Sequence, residues 1–184
     1  MSLDLRRLKE VIDWRPHAMT AQIAEKLLYQ GERVAMCTNP LNDYFAMGGF
    51  NPRFESTSTA LWRGYVGGWE IVEDRLYLVS LDGTLEDGTD ATLETVFPGF
   101  PDRVFAHWYS GIVRIPQGKQ LEYVHMGYAS KFERDLFLDI ERGVVVSTRV
   151  RQNGVADSDE APESYSVGAM TVFPRTRGND KVTE

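Results

Sequence analysis

Apolar and polar residues alternate with a period of two over much of the chain after residue 59, a pattern typical of β-strands that bury one face. The clearest case surrounds the dipeptide Arg142-Gly143, where residues 135–141 and Val144–Val150 alternate on either side. Two alternating runs separated by two residues of this kind favour an antiparallel β-hairpin. We therefore predict a hairpin here.

Further strands are predicted at Glu70–Val72 and Leu76–Leu81, and the short polar pair Glu73-Asp74 between them predicts a second hairpin. The run Ser110–Ile115 leads into residues 116–118, whose Pro-Gln-Gly composition indicates a turn. No helical periodicity separates these strands, which argues against a doubly wound α/β sheet. The expected fold class is mostly β (α+β), with an antiparallel meander, sandwich or open barrel.

The first part of the chain favours helix. In Thr20–Gln30 the apolar residues follow helical spacing, Thr20 can cap the first turn, and Gly31 stands where a helix would end. A similar stripe runs through residues 5–12, so one or two N-terminal helices are expected. The predicted domains are a helical arm packed on the sheet over residues 1–31, an antiparallel β domain over residues 32–173 and a flexible tail over residues 174–184.

Glycines within the β region suggest local irregularities. Gly67-Gly68 predicts either a hairpin turn or a β-bulge. The segment Ser80–Leu85 resembles the phosphatase loop of haloacid-dehalogenase enzymes, where a strand ends in D-x-D-G-T. The nucleophilic first aspartate of that motif is replaced here by Ser80, which has no adjacent base to activate it. We interpret Asp82-Gly83 as a turn pair instead.

Composition narrows the function classes. The net charge of −7 lacks the basic footprint of nucleic-acid binders, and the nearest basic cluster, Arg142, Arg149 and Arg151, is balanced by nearby acidic residues. The single cysteine, Cys37, excludes an internal disulfide and favours a reducing compartment. Since no apolar run approaches the roughly 20 residues of a membrane span, we expect a cytoplasmic protein without membrane or nucleic-acid partners.

Metal and cofactor chemistry has no sequence signature. Three histidines and Cys37 do not follow the spacing of zinc ligands, and the acidic residues after Asp82 do not follow that of a calcium loop. The glycines near Gly67 match no phosphate-binding or dinucleotide-binding pattern. We therefore expect no metal and no cofactor.

Aromatic and imidazole side chains are concentrated in three strand segments. Trp and Tyr faces can stack on a ligand while His or Arg fixes its polar groups, although the same residues also build ordinary cores. The candidate ligand-binding residues are Trp62, Arg63, Tyr65, His107, Trp108, Tyr109, His125 and Tyr128. The sequence assigns no catalytic residue.

These segments also carry a resemblance. The order W-R-G-Y at Trp62–Tyr65, W-x-I at Trp69–Ile71 and L-Y-L at Leu76–Leu78 resembles that of a family of small uncharacterised bacterial proteins with a β domain. The likeness covers residues 59–151. It implies a bacterial, cytoplasmic setting and carries no activity with it.

Two functions remain open. The favoured one is a non-enzymatic binding or interaction protein whose acidic surface meets a basic protein partner. The alternative is a small enzyme or small-molecule-binding domain with an aromatic and His-lined pocket. A homodimer is also open, with the strand Arg134–Ile140 as one expected contact edge.

Overall fold

The computed structural model describes residues 20–48, 52–157 and 161. The predicted helical stripe at residues 5–12 and the tail over residues 174–184 lie outside these ranges. The elements are β1 (Glu25–Tyr29), β2 (Glu32–Met36), α1 (Pro40–Ala46), β3 (Tyr65–Val72), β4 (Arg75–Thr84), β5 (Asp90–Ala91), α2 (Leu93–Val96), β6 (Val104–Phe105), β7 (Gly111–Glu122), β8 (Lys131–Glu141) and β9 (Val144–Gln152).

The strands form one mixed sheet. Its order is β2-β1-β3-β4-β9-β8-β7, with β5 and β6 also paired to β4. Neighbouring strands are antiparallel except β1 and β3, which run parallel. The predicted mostly-β fold class is confirmed, and the parallel pair is an addition that the hairpin pattern did not predict.

Besides the β1–β2 hairpin, which turns at Gln30 and Gly31 with φ of 52° and 82°, two further hairpins turn through consecutive left-handed residues. Glu73 and Asp74 link β3 to β4 with φ of 49° and 59°, and Arg142 and Gly143 link β8 to β9 with φ of 47° and 81°. Positive φ at both central residues defines the type I′ turn, whose twist matches that of the flanking strands. Both predicted hairpins are confirmed.

The tips of these two hairpins meet. The Leu76 amide donates to the Gly143 carbonyl at 2.8 Å, and the Val145 amide donates to the Asp74 carbonyl at 2.7 Å. Arg75 and Val144 are the single residue pair between β4 and β9 in the described part of the sheet. The two hairpins therefore extend in opposite directions from a short junction.

The end strands of the sheet also come together. The Cys37 amide, directly after β2, donates to the Arg114 carbonyl of β7 at 2.8 Å. The Arg114 amide donates in turn to Thr38 Oγ1 at 3.1 Å. The sheet is curled so that β2 and β7 meet, and this seam encloses the core.

The core lies inside this curl. Its largest fully buried side chains are aromatic and aliphatic residues from both halves of the sheet, together with one carboxylate, Glu25. The apolar members include Leu27, Met36, Leu41, Tyr65, Trp69, Leu76, Leu78, Ile115, Phe132 and Leu138. Packing across the hairpin junction thus makes one core out of the two halves.

The predicted helix over Thr20–Gln30 is wrong. Its C-terminal half is β1, in which Glu25 and Leu27 are buried while Lys26 is exposed. The apolar residues fit helical spacing. The buried face of the strand, however, includes the carboxylate Glu25, which a pattern of hydrophobic residues counts as exposed. Contacts of β1 with β2 and β3 override the local helical preference.

Two predicted turns are also wrong. Residues 116–118 continue β7, and Pro116 is tolerated because the described backbone bonds between β7 and β2 reach only Arg114, which leaves that side of β7 without a ladder partner at position 116. Asp82-Gly83 lies within β4, where Gly83 faces Tyr65 of β3. At Gly67-Gly68 the bulge alternative is confirmed, since the register of β3 and β4 shifts between Gly68 and Trp69.

The expected dimer edge over Arg134–Ile140 is not an edge, because β8 lies between β7 and β9.

The segment between β2 and β3, whose composition favours a loop, contains α1 as well. The proline at position 40 starts that helix, where a missing amide hydrogen costs nothing.

The Arg142-Gly143 turn predicts a specific glycine requirement. A Cβ on Gly143 would lie 2.7 Å from the Ala106 carbonyl oxygen at a φ of +81°. We expect Gly143→Ala to lower the free energy of unfolding by about 3 kcal/mol. This sum combines the cost of a left-handed backbone for alanine with the steric overlap between its Cβ and the Ala106 carbonyl. Urea denaturation followed by circular dichroism measures this.

Gly88→Ala is the matched control. Gly88 has a φ of +83° with no atom within 4 Å of a built Cβ, so only the backbone cost of about 1 kcal/mol remains. Equal losses for the two variants would show that Gly143 is not held against Ala106.

Candidate functional site

A surface cavity lies where the two hairpin tips meet. Its volume is about 640 Å³, and it opens to solvent beside the first residues of β9. We call it the arginine cavity; it is lined by Arg75, Phe105, His107, Glu141, Arg142, Val144 and Val146. Of the residues that the sequence predicted for a ligand site, His107 alone belongs to this lining.

Backbone hydrogen bonds fix the walls of the cavity. The Gly143 amide donates to the Tyr109 carbonyl at 2.8 Å, and the Arg142 amide donates to Ser110 Oγ at 2.9 Å. On the other side the Ala106 amide donates to the Leu76 carbonyl at 2.9 Å. Because these bonds hold both hairpins and the segment after β6, the cavity is formed before any ligand arrives.

The arginines of the cavity keep their charge available. Neither Arg75 nor Arg142 forms an ion pair with any residue in the described ranges, and both are exposed. The Arg75 guanidinium lies over the Phe105 ring, 5.8 Å from its centroid. Such stacking orients the planar group and leaves its N–H groups directed outward.

The other two arginines of the sequence-predicted basic cluster differ from Arg142. Arg149 Nη1 lies 3.2 Å from Asp139, and Arg151 Nη2 lies 2.8 Å from Asp135. Arg142 alone has no such partner among the described residues. The sequence-based expectation that acidic residues balance this cluster is therefore correct for Arg149 and Arg151. It is wrong for Arg142, which has no ion-pair partner in the described ranges.

The remaining walls are apolar and aromatic. Val144 and Val146 are 37% and 52% exposed, which is high for valine in a strand. The rings of Phe105 and His107 lie 6.4 Å apart, and Tyr77 packs 5.6 Å from Phe105 beneath them. The cavity thus offers an apolar floor beside two guanidinium groups.

The cavity holds no arranged catalytic pair. Its only acid–base side chains are His107 and Glu141, and no hydrogen bond or ion pair joins them in the described structure. His107 Nδ1 instead lies 3.2 Å from the Phe105 carbonyl. A nucleophilic serine, threonine, cysteine or lysine is not among the lining residues.

Three predicted ligand residues lie instead around a buried ion pair. Arg63 Nε lies 2.9 Å from Glu25 Oε1, and both side chains are almost fully enclosed. Arg63 also donates to the Ile23 carbonyl at 2.9 Å, which the Tyr128 hydroxyl contacts at 3.2 Å. The Arg63 guanidinium lies 5.5 Å from the Tyr65 ring centroid. These residues form part of the interior.

The second oxygen of Glu25 ties β1 to β3. Oε2 accepts hydrogen bonds from the Gly67 amide and from Trp69 Nε1, the latter at 3.0 Å. The contact between Arg63 Nε and Oε1 is a charge contact only, since neither atom has a hydrogen-bond partner in the described structure. Burial outweighs these favourable contacts and raises the pKa of Glu25 to about 7.

The other predicted residues are dispersed. Trp108 Nε1 donates to the Pro40 carbonyl at 3.0 Å, and the Tyr109 hydroxyl donates to the Ile112 carbonyl at 3.1 Å. Trp62 is 61% exposed and lies outside the cavity lining. His125 is exposed beside Tyr123, whose hydroxyl lies 2.9 Å from His125 Nδ1. His107 and His125 therefore do not share the arginine cavity.

Cys37 is unsuited to nucleophilic chemistry. The thiol is buried, and this burial raises its pKa to about 12. Nearby Asp135 is a buried carboxylate; hydrogen bonds from Asn153 and Arg114 outweigh its burial and lower its pKa. Cys37 and Asp135 are therefore buried groups of the interior and not part of the arginine cavity.

The sequence missed six of the seven cavity residues. Arg75, Phe105, Glu141, Val144 and Val146 carry no motif, and they come together only because two distant hairpins meet at their tips. The available signal was the pair of two-residue turns, each flanked by a charged residue. That signal locates the turns and gives no indication that they touch.

The described ranges contain neither a metal-ligand cluster nor a membrane-spanning helix. No group of three or more His, Cys, Asp or Glu side chains is placed to hold a metal ion. No helix there is long and apolar enough to cross a membrane.

Comparison with known proteins adds no relative. No family model, curated protein or solved structure matches this chain.

The buried Glu25 predicts how stability changes with pH. Its pKa is raised from 4.5 to about 7, so between these values the folded state binds more protons than the unfolded state. Stability from this group is present below about pH 4.5 and is lost as pH rises through 7. Chemical denaturation from pH 5 to 8 should show stability falling by up to about 1.4 kcal/mol per pH unit from this group.

Glu25→Gln is the test variant, because glutamine keeps the size and cannot ionise. We expect its stability to be lower than that of the parent at pH 5 and to depend much less on pH up to 8. An unchanged slope in the variant would assign the pH dependence to other groups. Asp135 does not interfere, since its lowered pKa places its titration below this window.

Proposed function

We propose that this protein is a non-enzymatic binding protein for organic anions that join a carboxylate to an apolar part. The observation that carries the proposal is the pair of exposed arginines without ion-pair partners in the described structure, set beside exposed valines in one preformed cavity. In a chain with a net charge of −7, cations left unpaired at one concave place favour a local anionic ligand.

The size and chemistry of the cavity support this. A volume of about 640 Å³ falls within the range of small-molecule sites, roughly 300–1,000 Å³. A guanidinium group matches a carboxylate with two parallel N–H donors. Val144, Val146 and Phe105 supply the apolar contact that distinguishes an organic anion from an inorganic one.

Glu141 sets a limit on affinity. It lies in the same lining as Arg75 and Arg142, and its charge repels an anionic ligand. Affinity for a simple carboxylate is therefore expected to be weak. Removing the Glu141 charge should raise that affinity, whereas removing either arginine charge should lower it.

We also propose where the protein works. A bacterial, cytoplasmic location agrees with the resemblance of the strand segments and with Cys37, which is a free thiol. A basic protein partner for the acidic surface stays a prediction.

Hexanoate is a suitable probe of the cavity. Titrated into the ¹⁵N-labelled protein, it should shift the amide signals of Gly143, Val144 and Val146 with a dissociation constant in the millimolar range. Hexanamide, which lacks the charge, should bind more weakly. Equal binding of the two probes, or shifts located elsewhere, would contradict the proposal.

Charge variants sharpen the test. Removing one exposed ionic contact costs about 1 kcal/mol, so Arg75→Gln and Arg142→Gln should each weaken hexanoate binding about fivefold. Glu141→Gln should tighten it. Arg53→Gln is the control, since the Arg53 side chain is 84% exposed and lies outside the cavity, and its affinity should stay at that of the parent.

A further inference from the structure

The strand β9 has an open edge. On one side it pairs with β8 along its whole length, from Val144 to Gln152. On the other side its described contacts with β4 end after the Arg75–Val144 pair and the adjacent bond from the Val145 amide to Asp74. From Val146 to Gln152 no described strand continues the sheet.

The β4–β9 pairing ends where β4 begins, because the residues before Arg75 form the Glu73-Asp74 turn. A bulge in β9 lies next to this point. The register of β8 and β9 shifts between Asp139 and Ile140, whose partners Ser147 and Val145 leave Val146 as an extra residue. An extra residue bends its strand and increases the local twist. β9 therefore turns away from β4 at Val146, and β6 takes the neighbouring position on β4.

This edge lacks the usual protection against pairing. Exposed edges are commonly blocked by proline, by lysine or by a covering segment. Residues 146–152 contain no proline or lysine, and Val146 and Val150 are 52% and 54% exposed. Arg149 and Arg151 are already held by Asp139 and Asp135, so they do not repel an incoming strand strongly.

The open edge begins at the arginine cavity. Val146 belongs to both, and Arg142 lies two residues before the start of β9. A chain that paired antiparallel with β9 would run from Gln152 toward Val146, because Asp74 and Arg75 already occupy the edge beside Val145 and Val144. Its carboxyl end would arrive beside Val146, which lines the arginine cavity. Main-chain pairing along an edge combined with capture of a terminal carboxylate is an established mode of peptide recognition.

We infer that the physiological ligand is the carboxyl-terminal segment of a peptide or protein, which adds an antiparallel strand to β9 and places its terminal carboxylate in the arginine cavity. The inference rests on the proposed function and names its ligand. Alternate side chains of the peptide lie beside Thr148 and Val150, which share the face of the buried Leu138. Those positions favour apolar, β-branched residues.

The probe is a six-residue peptide of alternating threonine and valine, with a blocked N-terminus and a free carboxylate. We expect it to bind the full chain roughly tenfold more tightly than hexanoate, a gain equal to about one net hydrogen bond. Its C-terminal amide should bind roughly 25-fold more weakly, because it loses the contacts with both arginines, and that loss should shrink to about fivefold in Arg142→Gln, where Arg75 remains.

Backbone methylation separates strand pairing from side-chain contact. In an added strand only alternate amides face β9, so N-methylation of one alternate set should abolish the gain over hexanoate while methylation of the other set leaves it. On binding, hydrogen exchange should slow at least tenfold for the alternate amides between Val146 and Gln152 that face away from β8.

The failures can be told apart. If hexanoate binds as proposed but the peptide binds no more tightly and neither methylation matters, the peptide inference is overturned and the anion site stands. If neither probe shifts the cavity amides, both fail. Protection, without peptide, of the alternate amides in residues 146–152 that face away from β8 would also overturn it. Sedimentation would then distinguish a second copy of the chain from one of its own segments as the covering strand.

Discussion

The junction of two hairpin tips is the constraint on which the structure depends. Two backbone hydrogen bonds, from Leu76 to Gly143 and from Val145 to Asp74, connect halves of the sheet that otherwise diverge. The type I′ turns make this approach possible, because they are narrow and expose main-chain carbonyls at their ends. The cavity, the single β4–β9 residue pair and the open edge of β9 all follow from this meeting.

Local pairing could be predicted, whereas the relation between hairpins could not. Residues around Arg142-Gly143 and Glu73-Asp74 alternate cleanly, and each turn joins neighbours in sequence, so both hairpins were read correctly. The cavity depends on contact between residues about seventy positions apart along the chain, for which alternation gives no signal. Its arginine and valine residues look like ordinary exposed strand positions until the tips are placed together.

The wrong helix over Thr20–Gln30 has a related cause. A hydrophobic pattern treats glutamate as a solvent-facing residue, yet Glu25 is buried against Arg63, Gly67 and Trp69. With that position counted as inward, the spacing of Glu25 and Leu27 becomes the period of a strand. The predicted ligand residues are dispersed for the same reason. Arg63 and Tyr65 pack around the buried Glu25 in the interior, and the arginine cavity lies elsewhere.

The seam between β2 and β7 carries a chemical reporter of its own opening. Cys37 is the one thiol of the chain, and its amide makes the bond to Arg114 that joins the two end strands. While the seam is closed, the thiol is both hidden and protonated, so reaction with a disulfide reagent requires the strands to separate. The labelling rate of Cys37 therefore measures the free energy of that separation directly, without any engineered probe.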